Sequence, residues 1–314
     1  MEISVIGTGM IAREVLAMLR KEDLGIGVSS IYAHQDKAKA DELAGEYGIE
    51  RVFTDYEALL REDKADFLYI AVVNTAHYPM AREALLAGRN VIVEKPMAMT
   101  AEEVKELMEL ARERGCWLFE AMTLLHLPNF GFVLRHLKDI GPVHAVIANY
   151  SQYSSRYDRY LQGDVAPAFN PDLGGGALRD LNVYNINAVV ALFGSPKSQH
   201  YYPNTGHNGV DTSGMMVLNY DGFQAVCIAA KDCDGPSGMT IEGEKGYIQV
   251  TSPVNSFTGV ELHVGSHVTK APPQRYESRL TEEFIAFHDI YRQGDREAMN
   301  HYLLLSLAAQ QVIG

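Results

Sequence analysis

The sequence predicts an α/β protein: an N-terminal doubly wound parallel sheet, followed by an α+β domain with a mostly antiparallel open sheet. Three observations lead there. Up to about residue 120, short apolar runs alternate with amphipathic helical patterns. Runs apolar on both faces belong in a parallel sheet covered by helices on either side. A glycine-rich turn, Gly7-Thr8-Gly9, ends the first run and opens the first helix. Beyond the Gly141-Pro142 break the rhythm changes to strands joined by tight turns.

The elements follow in order. Residues 3–7 form a strand, and a helix follows with Ile11, Val15 and Leu19 on one face. Residues 26–32 are a second strand, then 36–47 a helix. A nearly continuous apolar strand covers 65–73, with a helix from about Tyr78 to Ala87. Strand 90–94 comes next, and Thr100 with Glu103 gives a capping box for a helix reaching Arg114. Residues 116–121 complete the first domain, 1–121. The second, 122–314, has a helix near 129–137, a different region beginning at Val143 and a strong helix over 177–192. Strands are expected at about 213–220, 223–230, 238–243, 246–250 and 260–264, with Asp221-Gly222 turning a hairpin. Two helices, about 281–293 and 295–313, close the chain.

Composition narrows the function. The net charge of −13 opposes binding to nucleic acid or an anionic membrane surface. No run approaches the ~20 apolar residues of a membrane span. Cys116, Cys227 and Cys233 are odd in number and form no CxxC, which fits a reducing compartment. The N-terminus enters a strand pattern with no secretory leader, so a cytoplasmic protein is expected. His263 and His267 lack a third ligand, and no metal site is expected.

Two motifs carry chemistry. In the first βα turn, Gly7, Gly9, Met10 and Ile11 fit a pyrophosphate cradle of the Rossmann type. The glycines let the backbone approach, and the helix N-terminus offers unpaired N–H groups. An acid near residues 32–33 would grip the adenosine ribose, but none is there, which favours NADP over NAD. His34 is a candidate 2′-phosphate contact, and Asp36 falls where the next helix starts. The second motif is Glu94-Lys95-Pro96 at the carboxyl end of a strand, where such sheets collect ligands. The X-Pro bond can be cis. Alone, this common tripeptide is better read as a surface lysine ending a strand.

Together with "VVNTAHYP" and "GGGALRDLNVYNIN", in that order, these stretches resemble the Gfo/Idh/MocA family of nicotinamide-dependent oxidoreductases. The likeness spans the whole chain, and Tyr184 resembles the branch with glucose–fructose oxidoreductase and dimeric dihydrodiol dehydrogenase. It implies a dinucleotide-binding first domain and a second domain for substrate binding and oligomerisation. It further implies cofactor contacts from Asn74, His77, Glu94, Lys95 and Pro96, and a homodimer or tetramer. Lys95, Asp180 and Tyr184 become the catalytic candidates. Lysine stabilises oxyanion charge. Tyrosine transfers the proton, and Asp180 keeps Lys95 charged or holds a substrate hydroxyl. The lysine and tyrosine roles can be exchanged. A helix puts Asp180 and Tyr184 on one face. Glycines 174–176 then read as a bend bringing that helix toward the nicotinamide. Arg156 is a candidate for an anionic or polyol substrate, or a surface residue at a dimer contact. The departures are Val73, Leu125 and Asn182, of which Leu125 bears most on the substrate.

The expected activity is hydride transfer between nicotinamide and a sugar, polyol, diol or related hydroxy/carbonyl compound. Two rival readings are a non-catalytic NAD(P) sensor on the same fold and an NAD-dependent glycosidase.

Overall fold

A computed structural model describes all 314 residues. The chain forms two compact units, Met1–Ala121 with Leu280–Gln310, and Met122–Arg279 with Gln311–Gly314.

The first unit runs β1 (Glu2–Ile6), α1 (Met10–Lys21), β2 (Gly27–Tyr32), α2 (Lys37–Tyr47), β3 (Arg51–Phe53), α3 (Tyr56–Glu62), β4 (Phe67–Ile70), α4 (Asn74–Leu86), β5 (Asn90–Glu94), α5 (Ala101–Arg114) and β6 (Leu118–Ala121). Every strand pair is parallel, in the order β3-β2-β1-β4-β5-β6. The order reverses between β1 and β4, and in sheets of this kind ligands bind at the carboxyl ends of the strands beside such a reversal. Val5, Ile6, Leu68, Ile70, Val91 and Val93 are fully buried, as strands covered on both faces must be. The capping box of α5 is present, with Thr100 Oγ1 accepting from Glu103 N at 3.2 Å.

Two elements here were not expected. β3 is three residues long and α3 seven, too short to show a period. α4 begins at Asn74, not Tyr78, and takes Pro79 into its second turn with the loss of one backbone bond.

The second unit has α6 (Pro128–His136), β7 (Val143–Ser151), α7 (Tyr157–Leu161), then a π turn (Leu178–Asn182) leading into α8 (Val183–Phe193). β8 (Ser198–Thr205), β9 (Asp211–Asn219), β10 (Gln224–Ala230), β11 (Gly238–Gly243), β12 (Gly246–Val250), β13 (Val260–Val264) and β14 (His267–Lys270) follow. Eight strands lie in the order β14-β13-β12-β11-β7-β10-β9-β8, antiparallel except for β7 against β10. The hairpin between β9 and β10 closes at Gly222, whose φ of +85° suits glycine. β8 and β14 were not expected as strands. They are the two edges, polar and exposed, and carry no buried alternation to mark them.

One face of this sheet is buried through Val146, Ala148, Met216, Cys227 and Ile241. The alternate positions point the other way. Ile147, Met215, Tyr202, Tyr247 and Val268 share that second face by strand register and are exposed. The last helices, α9 (Leu280–Gln293) and α10 (Arg296–Ile313), were expected in the second domain, 122–314. Residues 280–310 instead belong to the first unit. The cause is aromatic burial: Phe287 stacks on Phe119 at 4.8 Å and Phe284 meets Tyr69 edge-on at 5.5 Å. No helix is long and apolar enough to cross a membrane.

Candidate active site

In the first unit, the turn after β1 is set by Gly7. Its φ is +120°, and a Cβ there would lie 2.3 Å from the carbonyl oxygen of Ala71. Only glycine passes so close to the β4 end. Gly9 differs. It caps α1 without a side-chain bond, and a Cβ would meet nothing nearer than 4.0 Å. The protein's own packing does not require that glycine, whereas a backbone-hugging pyrophosphate does. The first turn of α1 holds no acidic residue, and Met10 is largely exposed beside it. Uncapped N–H groups with no local negative charge fit a dinucleotide phosphate.

At the end of β2, Tyr32 is buried and His34 exposed, with Nδ1 of His34 3.4 Å from the Tyr32 hydroxyl. Asp36 caps α2 by accepting from Lys39 N at 3.1 Å, so it belongs to the helix, as expected. No carboxylate occupies the strand end at 32–33.

The end of β5 is held by buried groups. Glu94 accepts from the Tyr69 hydroxyl at 2.6 Å and from Lys95 N at 3.3 Å. The Lys95–Pro96 peptide is cis, and Met97 N donates to Glu120 at 2.7 Å. Burial pushes the Glu120 carboxyl up, against the pull of its bonds to Ser306 and Met97 and of nearby Lys95. His77 places Nδ1 2.8 Å from Pro96 O and Nε2 3.2 Å from Val72 O. Both carbonyls favour its charged form. Burial outweighs them, helped by the Lys95 charge, and holds the imidazole below its ordinary range.

His77 is 1% exposed and Glu94 8%, each within hydrogen-bonding distance of protein groups that support this loop. Lys95 itself is half-buried, as is Asn74 at the start of α4.

In the second unit, the three glycines have a different reason from the one expected. Gly174 is left-handed and ends a short turn. A Cβ on Gly175 would lie 2.6 Å from Pro167 O, and Gly176, at φ +124°, packs its Cα against the Asp211 carboxylate. The side chains excluded are those that would collide with the protein's own loop and with Asp211. Asp211 accepts from Leu178 N at 2.7 Å and from the Tyr201 hydroxyl at 2.6 Å, a remote cap for the helical segment.

The segment starts as a π turn, with Val183 N–H bonded to Leu178 O five residues back. The α-helical spacing assumed between Asp180 and Tyr184 therefore does not hold across it. Asn182 and Asn185 pin the wide turn to β10, donating to Cys227 O and Ile228 O at 2.9 Å each. Tyr184 is buried, its ring 6.1 Å from that of Tyr150. Arg156 is exposed at the start of α7, its backbone N donating to Ser154 Oγ at 3.3 Å. Asp180 binds a residue that no motif pointed to: Lys231 Nζ lies 2.7 Å from its Oδ2. The available signal was a lysine closing an apolar strand, the same pattern that drew attention to Lys95.

A parallel sheet with a reversing strand order, a glycine-tightened first turn and a lysine at a neighbouring strand end defines a dinucleotide-dependent enzyme. Comparison with known proteins agrees. Residues 1–122 match the model of the oxidoreductase family with an NAD-binding Rossmann fold, and 136–249 match the Gfo/Idh/MocA C-terminal domain. The scyllo-inositol 2-dehydrogenase (NADP(+)) of Bacillus subtilis is 36% identical over 79% of this chain and 75% of its own. The dTDP-3,4-didehydro-2,6-dideoxy-alpha-D-glucose 3-reductase of Streptomyces antibioticus is 35% identical over 96% and 92%. The trans-1,2-dihydrobenzene-1,2-diol dehydrogenase of Xenopus tropicalis is 30% identical over 90% and 85%. Among solved structures, a 3-ketoreductase from Actinomadura kijaniata in complex with NADP and TDP-benzene superposes with a TM-score of 0.84 over 100% of this chain and 95% of its own, at 24% identity. That likeness shows the fold. The chain belongs to the Gfo/Idh/MocA family and is an NAD(P)-dependent oxidoreductase.

Proposed function

We propose that this enzyme uses NADP(H) to interconvert a hydroxyl and a carbonyl on a sugar, polyol or cyclic diol. The observation that carries the reading is Lys95 at the carboxyl end of β5, next to the strand-order reversal and fixed by the supports of Glu94, Glu120 and His77. Such a lysine polarises a substrate oxygen and stabilises its developing negative charge. Tyr184 gives or takes the hydroxyl proton, and Asp180 orients the substrate by accepting a hydrogen bond. Gly7, Gly9, Met10 and Ile11 would hold the pyrophosphate, His34 would contact the adenosine 2′-phosphate, and Asn74, His77, Glu94 and Pro96 would form the nicotinamide end of the site. The bound nicotinamide supplies the hydride acceptor or donor. Arg156 is a substrate contact in this reading.

The dinucleotide belongs to the first unit, and the second unit binds substrate and mediates assembly. The exposed face of the eight-stranded sheet, with Ile147, Met215 and Tyr202, supports pairing with a second copy. Three free cysteines, two of them buried, support a reducing cytoplasmic location.

The test measures NADP(H) and NAD(H) binding, then turnover on a panel of sugars, inositols and diols. Failure to bind either nucleotide ends this reading, and binding without turnover on any panel member favours a sensor.

A further inference from the structure

Lys231 follows β10 directly, and its backbone is fixed on both sides. Its N–H donates to Thr212 O at 2.8 Å, and its carbonyl accepts from Ser154 N at 2.9 Å. The side chain then runs inward and is 3% exposed. Its ammonium donates to Ala168 O at 2.6 Å and to Asp180 Oδ2 at 2.7 Å, and sits 4.6 Å from the centre of the Phe169 ring. The Asp180 side chain is 37% exposed, so the lysine is the buried member of the pair.

That asymmetry is informative. Burying an ammonium is unfavourable unless hydrogen bonds and opposite charge compensate it. Here a carbonyl, a carboxylate and an aromatic face do so together. Burial pushes the Asp211 carboxyl up, and the Lys231 charge pulls against that, while Asp232, the next residue, is engaged by the hydroxyls of Thr212 and Ser213. The lysine thus joins three pieces of the second unit: the end of β10, the loop at 168–169, and the π turn. The Asp180 carboxylate keeps part of its surface exposed while Lys231 holds one of its oxygens.

We propose that Lys231 is a positioning residue for Asp180. It holds Oδ2 so that the carboxylate meets a polyhydroxylated substrate as a fixed hydrogen-bond acceptor. The inference rests on the reaction proposed above, in which Asp180 orients the substrate. Lys231 touches neither substrate nor cofactor in this account and acts through Asp180 only.

The test is a double-mutant cycle on the full-length enzyme, using the best substrate of the panel. Lys231→Met and Asp180→Asn are made singly and together. Each single variant should lower kcat by about tenfold or more, the size expected for losing a charge-assisted hydrogen bond. NADPH affinity, read by fluorescence, should stay as in the unmodified protein. The double variant should be no slower than Asp180→Asn alone. Lys231→Arg should recover part of the loss, because it keeps the cation. Should Lys231→Met not fold, Lys231→Gln takes its place in the cycle, since it retains a donor for Ala168 O. Independent, multiplicative losses, or an unimpaired Lys231 variant, overturn the inference while leaving the proposed function standing. An unmodified enzyme that turns over nothing overturns the proposed function first, and this inference with it.

Discussion

The His77 imidazole lies 2.8 Å from the carbonyl oxygen of Pro96 and, through its other nitrogen, 3.2 Å from that of Val72. Burial holds the ring below its ordinary protonation range, and a neutral ring carries one N–H, so it donates to one of these two carbonyls and not to both. The sign of its pH effect can be worked out. Above about pH 6.5, the ordinary histidine value, folded and unfolded chains both carry a neutral ring. Below it, the unfolded chain takes a proton that the native ring resists, so native stability falls with pH until the lower native value is passed. Urea unfolding should show less stability at pH 5 than at pH 7.5. In His77→Gln that difference should shrink, even if the variant is weaker at both. An unchanged difference would remove His77 from the account.

Gly7 and Gly9 should respond oppositely to alanine. At Gly7 the added methyl meets a backbone carbonyl at 2.3 Å in a left-handed conformation, and Gly7→Ala should unfold at markedly lower denaturant. At Gly9 there is room, and Gly9→Ala should keep its unfolding midpoint. It should weaken NADPH binding on the order of tenfold, the size of one charge-assisted contact. Equal affinity in Gly9→Ala and the unmodified protein, measured calorimetrically, would argue against a pyrophosphate at this turn.

Lys95→Ala and Tyr184→Phe should each cut kcat by roughly 10²–10⁴-fold, the usual span for acid–base and electrostatic groups. Circular dichroism and nucleotide affinity should stay close to those of the parent. Retained turnover in Tyr184→Phe would transfer the proton role to Lys95.

Gly176→Ala should be among the most damaging changes outside the core. The left-handed φ of +124° and the adjacent Asp211 carboxylate leave the methyl no place, and a loss above about 2 kcal/mol is expected. Thermal denaturation reads it. Asp211→Asn, which keeps an acceptor for Leu178 N, should lose less.

The parallel sheet was legible because its strands are apolar on both faces and its helices carry one apolar stripe. Thr100 and Glu103 announced a capping box, and Asp221-Gly222 a hairpin; both formed because local chemistry alone determines them. Edge strands β8 and β14 escaped because an exposed edge needs no alternation. α9 and α10 were placed by chain order. Only long-range contacts such as Phe287 on Phe119 reveal where they pack. Of the proposed site residues, Lys95, Asp180 and Tyr184 could be named from the motifs that carry the family resemblance. The supports Tyr69, Glu120, Asp211 and Lys231 could not, since each acts on a residue tens of positions away.

The π turn at 178–182 amounts to one extra residue tucked into a helix. Deleting a single residue there would close the wide turn into ordinary helical winding, and the turns on either side would keep roughly their present phase, because the wide turn is where the extra residue is taken up. What would be lost is the widening itself, and with it the places from which Asn182 and Asn185 reach Cys227 O and Ile228 O. The link between the acid-bearing segment and β10 is therefore written into chain length, and an uninterrupted helix bearing the same side chains would not reproduce it.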